Sequence, residues 1–307
     1  MSAARRGVAQ VLGAAVLFGT TGTTAAFAPA AATPVGIGAA RLVIGGSGLL
    51  LALPLLGGSR RGAIGLWRDR WGFGAGLMTA LYQLAFFAGV ERAGVALATL
   101  VTIGSGPVLV GLLSYALLGE RPAAGWWLAT SLAVGGLALL SFDGLERPTV
   151  DLLGLVLALI AGLGYATYTV AAKRLMTDGR PPVEVMAAAF GLGGVLLLPV
   201  LLIAGAGWLA SPEGAAVGLW LGLVATTAAY VLFGRGLRLL PAGPAATLVL
   251  AEPLVATALG VTVLGERLGP AGWLGALGVA IGLGLQGAAS VRAQRGERQN
   301  VVEGAVG

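Results

Sequence analysis

The sequence predicts an all-α integral membrane protein of ten transmembrane helices, built as two five-helix repeats that enter the membrane in opposite orientations. Three observations carry the prediction. The chain is too apolar to face water, its apolar runs number ten, and landmarks of the first half recur in the second at a fixed offset.

A soluble domain covers its surface with charge on about a quarter of its residues. Here charged residues are 10% of the chain and hydrophobic ones 57%, with a mean hydropathy of +0.91, so lipid must solvate most of the surface. The 53 glycines lie inside runs of Leu, Ala and Val rather than in polar linkers. Small residues there let helix backbones approach closely in lipid, where packing replaces the hydrophobic effect as the adhesive. Gly72 with Gly76, Gly218 with Gly222, and Gly278 with Gly282 have the spacing this requires. The chain has no Cys and no His. That excludes thiol chemistry, disulfides, haem, ordinary zinc sites and His-based acid–base steps, and no metal or cofactor is expected.

A helix needs about 20 apolar residues to cross the hydrocarbon core. Such runs occupy residues 8–31, 34–56, 71–89, 93–118, 125–142, 152–172, 183–204, 215–234, 242–264 and 271–289. The first imitates a secretory leader, with Arg5 and Arg6 ahead of an apolar stretch. A leader's apolar core is only about 7–15 residues, whereas this run continues into the second span. Gly282, Gly284 and Gly287 satisfy the dinucleotide-binding pattern G-x-G-x-x-G, but they end a span instead of joining a strand to a helix. That match is chance. Residues 292–307 are polar and are expected to fray as a disordered tail.

Orientation follows from loop charge. With the N-terminus in the cytoplasm, that side holds fifteen basic residues: Arg5, Arg6, Arg60, Arg61, Arg68, Arg70, Arg121, Lys173, Arg174, Arg180, Arg235, Arg238, Arg292, Arg295 and Arg298. The other side holds three, Arg92, Arg147 and Arg267, while the loop acids divide six and six. This is the positive-inside bias. It predicts a multi-pass protein of the cell (inner, cytoplasmic) membrane with both termini in the cytoplasm. It also explains the net charge of +6 without a nucleic-acid partner.

Leu117-Leu118-Gly119-Glu120-Arg121 recurs as Val263-Leu264-Gly265-Glu266-Arg267, an offset of 146 residues. At the same offset Pro107 aligns with Pro253 and Trp127 with Trp273, the internal similarity that marks a repeat architecture. Five spans is an odd number, so the second copy enters upside down and the two Gly-Glu-Arg corners fall on opposite faces. The chain divides into a first repeat over 1–145, an inverted second repeat over 146–291, and the tail. One corner on each face points to a structural role for Glu120 and Glu266: capping helix ends and pinning the turn.

A Pro-containing fourth helix ending in Leu-Gly-Glu-Arg, followed by a Gly/Trp-rich fifth helix, occurs once in each half. This resembles the EamA family of the drug/metabolite transporter superfamily, over about 8–289. The resemblance implies a central cavity lined by helices 1, 3, 4, 6, 8 and 9. It also implies a carrier of amino acids, related metabolites or drugs, often working as an exporter. No motif specifies the cargo.

Of the 32 charged residues only Arg41 and Glu252 fall clearly within the expected spans, and an ionisable group in the membrane is a functional candidate by default. Glu252 lies ten residues into the ninth run, about 15 Å along the helix and so near the midplane. Pro253 follows it and leaves the carbonyl of Val249 without its helical partner. A carboxylate beside a loosened turn can bind a substrate ammonium or carry a coupling proton. It can equally sit protonated in a hydrogen bond to a neighbouring helix. The matching position in the first half is Gly106, so the repeats are asymmetric there. Arg41 could capture a substrate carboxylate or pair with Glu252. Its long stem can also carry the charge to the interface, and the second helix is not expected to line the cavity, so the structural role is favoured.

Tyr82 and Gln83 on the third helix, Tyr165 and Tyr168 on the sixth and Tyr230 on the eighth are the next candidates, because their polar tips want a partner. Tyr165 and Tyr168 are three residues apart, share a helix face, and could stack on an apolar or aromatic substrate. Thr20 and Thr24 on the first helix and Ser105 on the fourth complete the set. Most membrane hydroxyls, however, bond their own backbone.

The expectation is therefore alternating access by a secondary active transporter moving a small amphipathic metabolite, with proton coupling through Glu252 as one option. Broad-specificity drug efflux is the alternative within the same fold. A membrane enzyme usually gathers His, Asp or metal-binding clusters at one face, and no ring-forming filter motif marks a channel.

Overall fold

The structure is a computed structural model that describes residues 1–142 and 151–304. The described residues form helices joined by short turns, with no strand among them. The spans are α1 (Ala3–Ala26), α2 (Pro34–Leu56, its last turn 3₁₀), α3 (70–93), α4 (95–118), α5 (Ala124–Phe142), α6 (Leu152–Thr177), α7 (Pro182–Ala204), α8 (Pro212–Leu239), α9 (Ala242–Val263) and α10 (Pro270–Gly304). A short helix, Arg60–Gly65, lies between α2 and α3.

The helices begin where the sequence supplies an acceptor for free amides. Ser2, Thr33, Asp69, Asp151 and Ser211 each cap a helix, with Asp69 taking the amides of both Trp71 and Gly72. Proline occupies the first turn of α2, α7 and α8, where its missing N–H has no partner to lose. α3 and α4 run on without a loop through 49 residues. At 1.5 Å per residue that is about 73 Å, more than twice the roughly 30 Å hydrocarbon core. They are two spans joined by Gly94, whose φ of 80° breaks the helix at a kink without a turn segment.

Small residues set the closest helix approaches. α5 and α10 cross at Gly136, Gly275 and Gly278, where a Cβ on Gly136 would meet the backbone of Gly275, Gly278 and Val279. Gly282, which stands 146 residues after Gly136, meets Ala129 and Ala133 at the same crossing. Gly46 on α2 sits on the backbone of Phe190 in α7, and Gly222 on α8 sits against Ile44. The repeat landmarks Trp127 and Trp273 are both exposed, at 42% and 62%. They face outward from the bundle in both halves.

The helix limits differ from expectation in instructive places. α1 occupies 3–26 instead of 8–31, stopping before the Pro29 turn. α6 continues to Thr177, so Lys173, assigned to a loop by the sequence, is inside a helix. α8 is longer than its apolar run and contains a π-helical stretch, Trp220–Ala228. α9 breaks at Leu250, between Ala242–Val249 and Ala251–Val263, where the Leu250 amide falls back on Thr247 O at 3.0 Å. The carbonyl that Pro253 deprives of a donor, that of Val249, is at this break. Pro107 sits inside α4 at the equivalent place with no such break. The helix of α10 extends in backbone through the tail to Gly304. The repeat boundary at 145 and 146, with Asp143, Glu146 and Arg147, lies outside the described residues, as do the side chains from Gln294 onward.

Candidate functional site

A small central cavity of about 20 Å³ lies where α3, α4, α6 and α9 meet, lined by Tyr82, Thr102, Ile103, Pro107, Tyr165, Ala246, Val249 and Glu252. Glu252 reaches it from the first turn after the α9 break, so the break turns this carboxylate inward. Tyr165 OH is buried with no hydrogen-bond partner, a polar tip waiting at the cavity wall. Thr102 lines the cavity while donating to Ala158 O of α6 at 2.9 Å.

Four of the five tyrosines converge here. Tyr82 packs 6.0 Å from Tyr165 and 6.2 Å from Tyr168, and Tyr165 meets Tyr168 edge to face at 5.5 Å. Tyr168 OH donates to Tyr230 OH at 3.4 Å, and Tyr230 lies over Phe190 with centroids 3.7 Å apart. The cluster has two layers. Tyr82 and Tyr165 face the cavity, whereas Tyr168 and Tyr230, at 0% and 4% exposure, are core behind it.

Arg41 does not snorkel. It is 6% exposed, and its guanidinium turns into the bundle, donating from Nε to Thr226 Oγ1 at 3.0 Å and from Nη2 to Ala225 O at 3.3 Å. The π-helical turn of α8 makes this possible. Thr226 spends its own proton on Leu221 O, five residues back, which leaves its lone pairs and the Ala225 carbonyl facing α2. Glu252, Tyr82 and Tyr230 all lie within electrostatic reach of the guanidinium. Among the described residues the ion pairs are Arg92 with Asp151 and Arg174 with Asp178, so Arg41 and Glu252 are not directly joined.

The other sequence candidates lie elsewhere. Thr20 donates to Leu17 O and accepts from Trp220 Nε1, tying α1 to α8. Ser105 donates weakly to Thr102 O and lies against Gly162. Gln83 is buried but does not line the cavity, and Thr24 is on the partly exposed last turns of α1. Glu120 caps α9 by accepting from Ala242 N at 2.7 Å, while Glu266 is exposed.

A larger cavity of about 410 Å³ opens on the face that carries the N-terminus, among the ends of α4, α6, α8 and α10 and the starts of α5 and α9. One helical turn separates it from the centre. Pro107 and Ala246 line the central cavity, whereas Gly111 and Gly243 line this vestibule. Trp126 fills that turn. It is 2% exposed, its ring rests on Gly111 and Gly243, and Nε1 donates to Thr247 Oγ1 at 3.0 Å. Thr130 adds a hydroxyl contact to Thr247 at 2.8 Å. Beside the vestibule, Lys173 Nζ donates to Leu237 O and Leu240 O at 2.9 and 2.6 Å, satisfying the last carbonyls of α8. The sequence reading missed both residues. Trp126 stood beside the repeat landmark Trp127, and Lys173 is the only lysine among 19 basic residues, the one signal that could have singled it out.

The EamA-like transporter family matches the chain twice, over residues 5–142 and 152–286, once per five-helix half. The chain belongs to the EamA-like transporter family. It is therefore a multi-pass membrane protein of a transporter fold, and the two matched segments are its internal repeats. Among EamA-like relatives, the uncharacterized transporter YwfM of Bacillus subtilis is 43% identical over 89% of this chain and 90% of its own length. The threonine/homoserine exporter RhtA of Escherichia coli K12 is 32% identical over 61% of each chain. A solved crystal structure superposes with a TM-score of 0.75 at 21% identity, over 92% of this chain and 98% of that one. At that identity the likeness concerns the fold.

Proposed function

We propose that this protein is a secondary carrier that exports a small amphipathic metabolite, an amino acid or a related compound, by alternating access. One observation carries the reading: Glu252 lines a tyrosine-walled cavity, and the buried guanidinium of Arg41, held on α8 within electrostatic reach, does not join it. An unpaired charge in the membrane is costly. A zwitterionic solute offers an ammonium to Glu252 and a carboxylate toward Arg41, so it completes both at once. The likeness to an exporter of threonine and homoserine supports this class of cargo. Arg41 thus moves from a structural residue to a second pole of the site. Glu252 is also the residue placed to carry a coupling proton.

A cavity of about 20 Å³ holds little more than one water, so a solute enters only when the two halves rock apart. That is the motion inverted repeats provide around a midplane site. The positive-inside bias supports a cytoplasmic N-terminal face in a cell membrane, and in this reading the 410 Å³ vestibule is the inner mouth. The rings of Tyr82 and Tyr165 at the cavity wall favour a second reading, efflux of hydrophobic cations, in which Glu252 alone supplies the countercharge.

Purified protein in proteoliposomes tests both. Saturable flux of threonine or a related amino acid, accelerated by unlabelled substrate on the far side, is expected. Flux at ion-channel rates would overturn the carrier. Glu252→Gln abolishes amino acid exchange in the first reading and drug efflux in the second. Arg41→Met abolishes only the first.

A further inference from the structure

The two Gly-Glu-Arg corners share one backbone and differ in their side chains. In the first, Gly119 turns at φ 71° and the Glu120 amide donates to Ser114 O at 3.3 Å. In the second, Gly265 turns at φ 73° and the Glu266 amide donates to Gly260 O at 3.1 Å. Ser114 and Gly260 are themselves 146 residues apart, so the main chain obeys the repeat. The carboxylates do not. Glu120 Oε2 crosses from the first repeat to the second and accepts the Ala242 amide at 2.7 Å, at the start of α9. Free amides and the helix dipole make that end a natural seat for a carboxylate. Glu266 is exposed and folds back over Gly260 of the helix it follows. The position 146 residues before Ala242 is Ala96, in the first turn of α4. Among the described residues no carboxylate caps it.

This asymmetry tracks which face is shut. On the N-terminal face the Trp126 layer closes the path between vestibule and centre. The buried residues of α1 run from Ala4 to Gly19 and stop, and those of α9 crowd into 242–253, with Gly260 the one beyond. Both helices are tightly packed toward the N-terminal face and looser beyond the midplane.

We propose that the two corners are alternating latches. Glu120 caps α9 while the N-terminal face is closed. When the opposite face closes, Glu266 caps α4 at Ala96 and Glu120 lets go of Ala242. An inverted repeat makes two closed states of matching construction, so each corner stabilises one of them and the ratio of the two caps sets the population. The inference rests on the alternating-access reading and adds what holds each closed state.

The chain has no cysteine, so single reporters need no background removal. In an Ala246→Cys reporter, whose position lines the central cavity, a membrane-impermeant maleimide is applied to oriented proteoliposomes from the N-terminal face. Removing a helix cap shifts a two-state population by about three- to tenfold. Glu120→Ala should therefore raise the labelling rate by that factor, and Glu266→Ala should lower it. Changes in the same direction, or no change in either, would overturn the proposal and leave the corners as static caps. Should Glu120→Ala fail to fold, a second measurement decides. The pair A96C/E266C should form a disulfide under conditions where the control pair E120C/A242C does; a control that closes alone overturns the proposal. Neither readout needs substrate. Saturable exchange with static corners rejects the latches alone, whereas absent exchange rejects the carrier.

Discussion

Lys173 illustrates how a charge survives deep in a helical bundle. Its ammonium bonds two carbonyls at the C-terminal end of α8, where the helix dipole is negative and the last acceptors have no intrahelical donors. Hydrogen bonds to a charged group contribute about 1.5–3 kcal/mol each. Lys173→Met leaves both carbonyls unpaired and should destabilise the protein by roughly 3 kcal/mol, read as a lower melting temperature in detergent. Glu252 and Arg41 follow the same logic with a different outcome. Arg41 satisfies part of its fork on α8, whereas Glu252 lines the cavity and is in no ion pair among the described residues. The sequence flagged Glu252 and the four clustered tyrosines because polar groups in apolar runs are conspicuous. It misplaced Lys173 because a cation next to Arg174 reads as a loop. It overlooked Trp126 because an indole in an apolar helix gives no sign of which neighbour its N–H will find.

At the scale of elements, the crossing of α5 and α10 is limited by backbone contact at Gly136. A Gly136→Val chain must push α10 away, since the nearest atoms are backbone and cannot rotate aside. Overpacking of this kind costs about 1–3 kcal/mol, so a lower melting temperature and reduced yield of monodisperse protein are expected. The entry of α6 makes a pH-dependent contribution. Asp151 caps the helix through the Gly154 amide and pairs with Arg92 at 3.0 Å, and these, the amide first, hold its carboxyl below the usual carboxylate range. A folded-state pKa below the unfolded one stabilises above the unfolded value, and that stabilisation is lost as pH falls through the folded one. The melting temperature should drop as pH falls below about 4, and Asp151→Asn should flatten that drop. Melting curves across pH 2.5–6 check this on the order of one carboxylate's contribution. Most span limits were legible from apolar length. The π-helical turn of α8 and the break in α9 were less so. Only Pro253 announced the break, while the π turn arises from how α8 meets Arg41 and Gly45 of α2.

For the whole molecule, the loop charges predict the orientation of the duplicated fold. Fifteen basic residues against three predict a cytoplasmic C-terminus. A reporter fused after Gly307 that is active only in the cytoplasm should therefore work, while one active only outside should stay dark. The opposite pattern would invert the assignment of the vestibule as the inner mouth.

The sequence by itself determined the membrane-length helices and the duplication, because length, apolarity and a 146-residue register are local or strictly periodic properties. It also singled out Glu252, which lines the central cavity. Only the tertiary structure decided which polar side chains meet. Tyr168 and Tyr230 turned out to be core and Tyr82 and Tyr165 wall; Arg41 turned inward instead of snorkelling. The two identical corners took up different partners. Side-chain direction around a helix of 3.6 residues per turn depends on how neighbouring helices cross, and in a glycine-rich bundle those crossings are set by contacts between segments far apart in the chain.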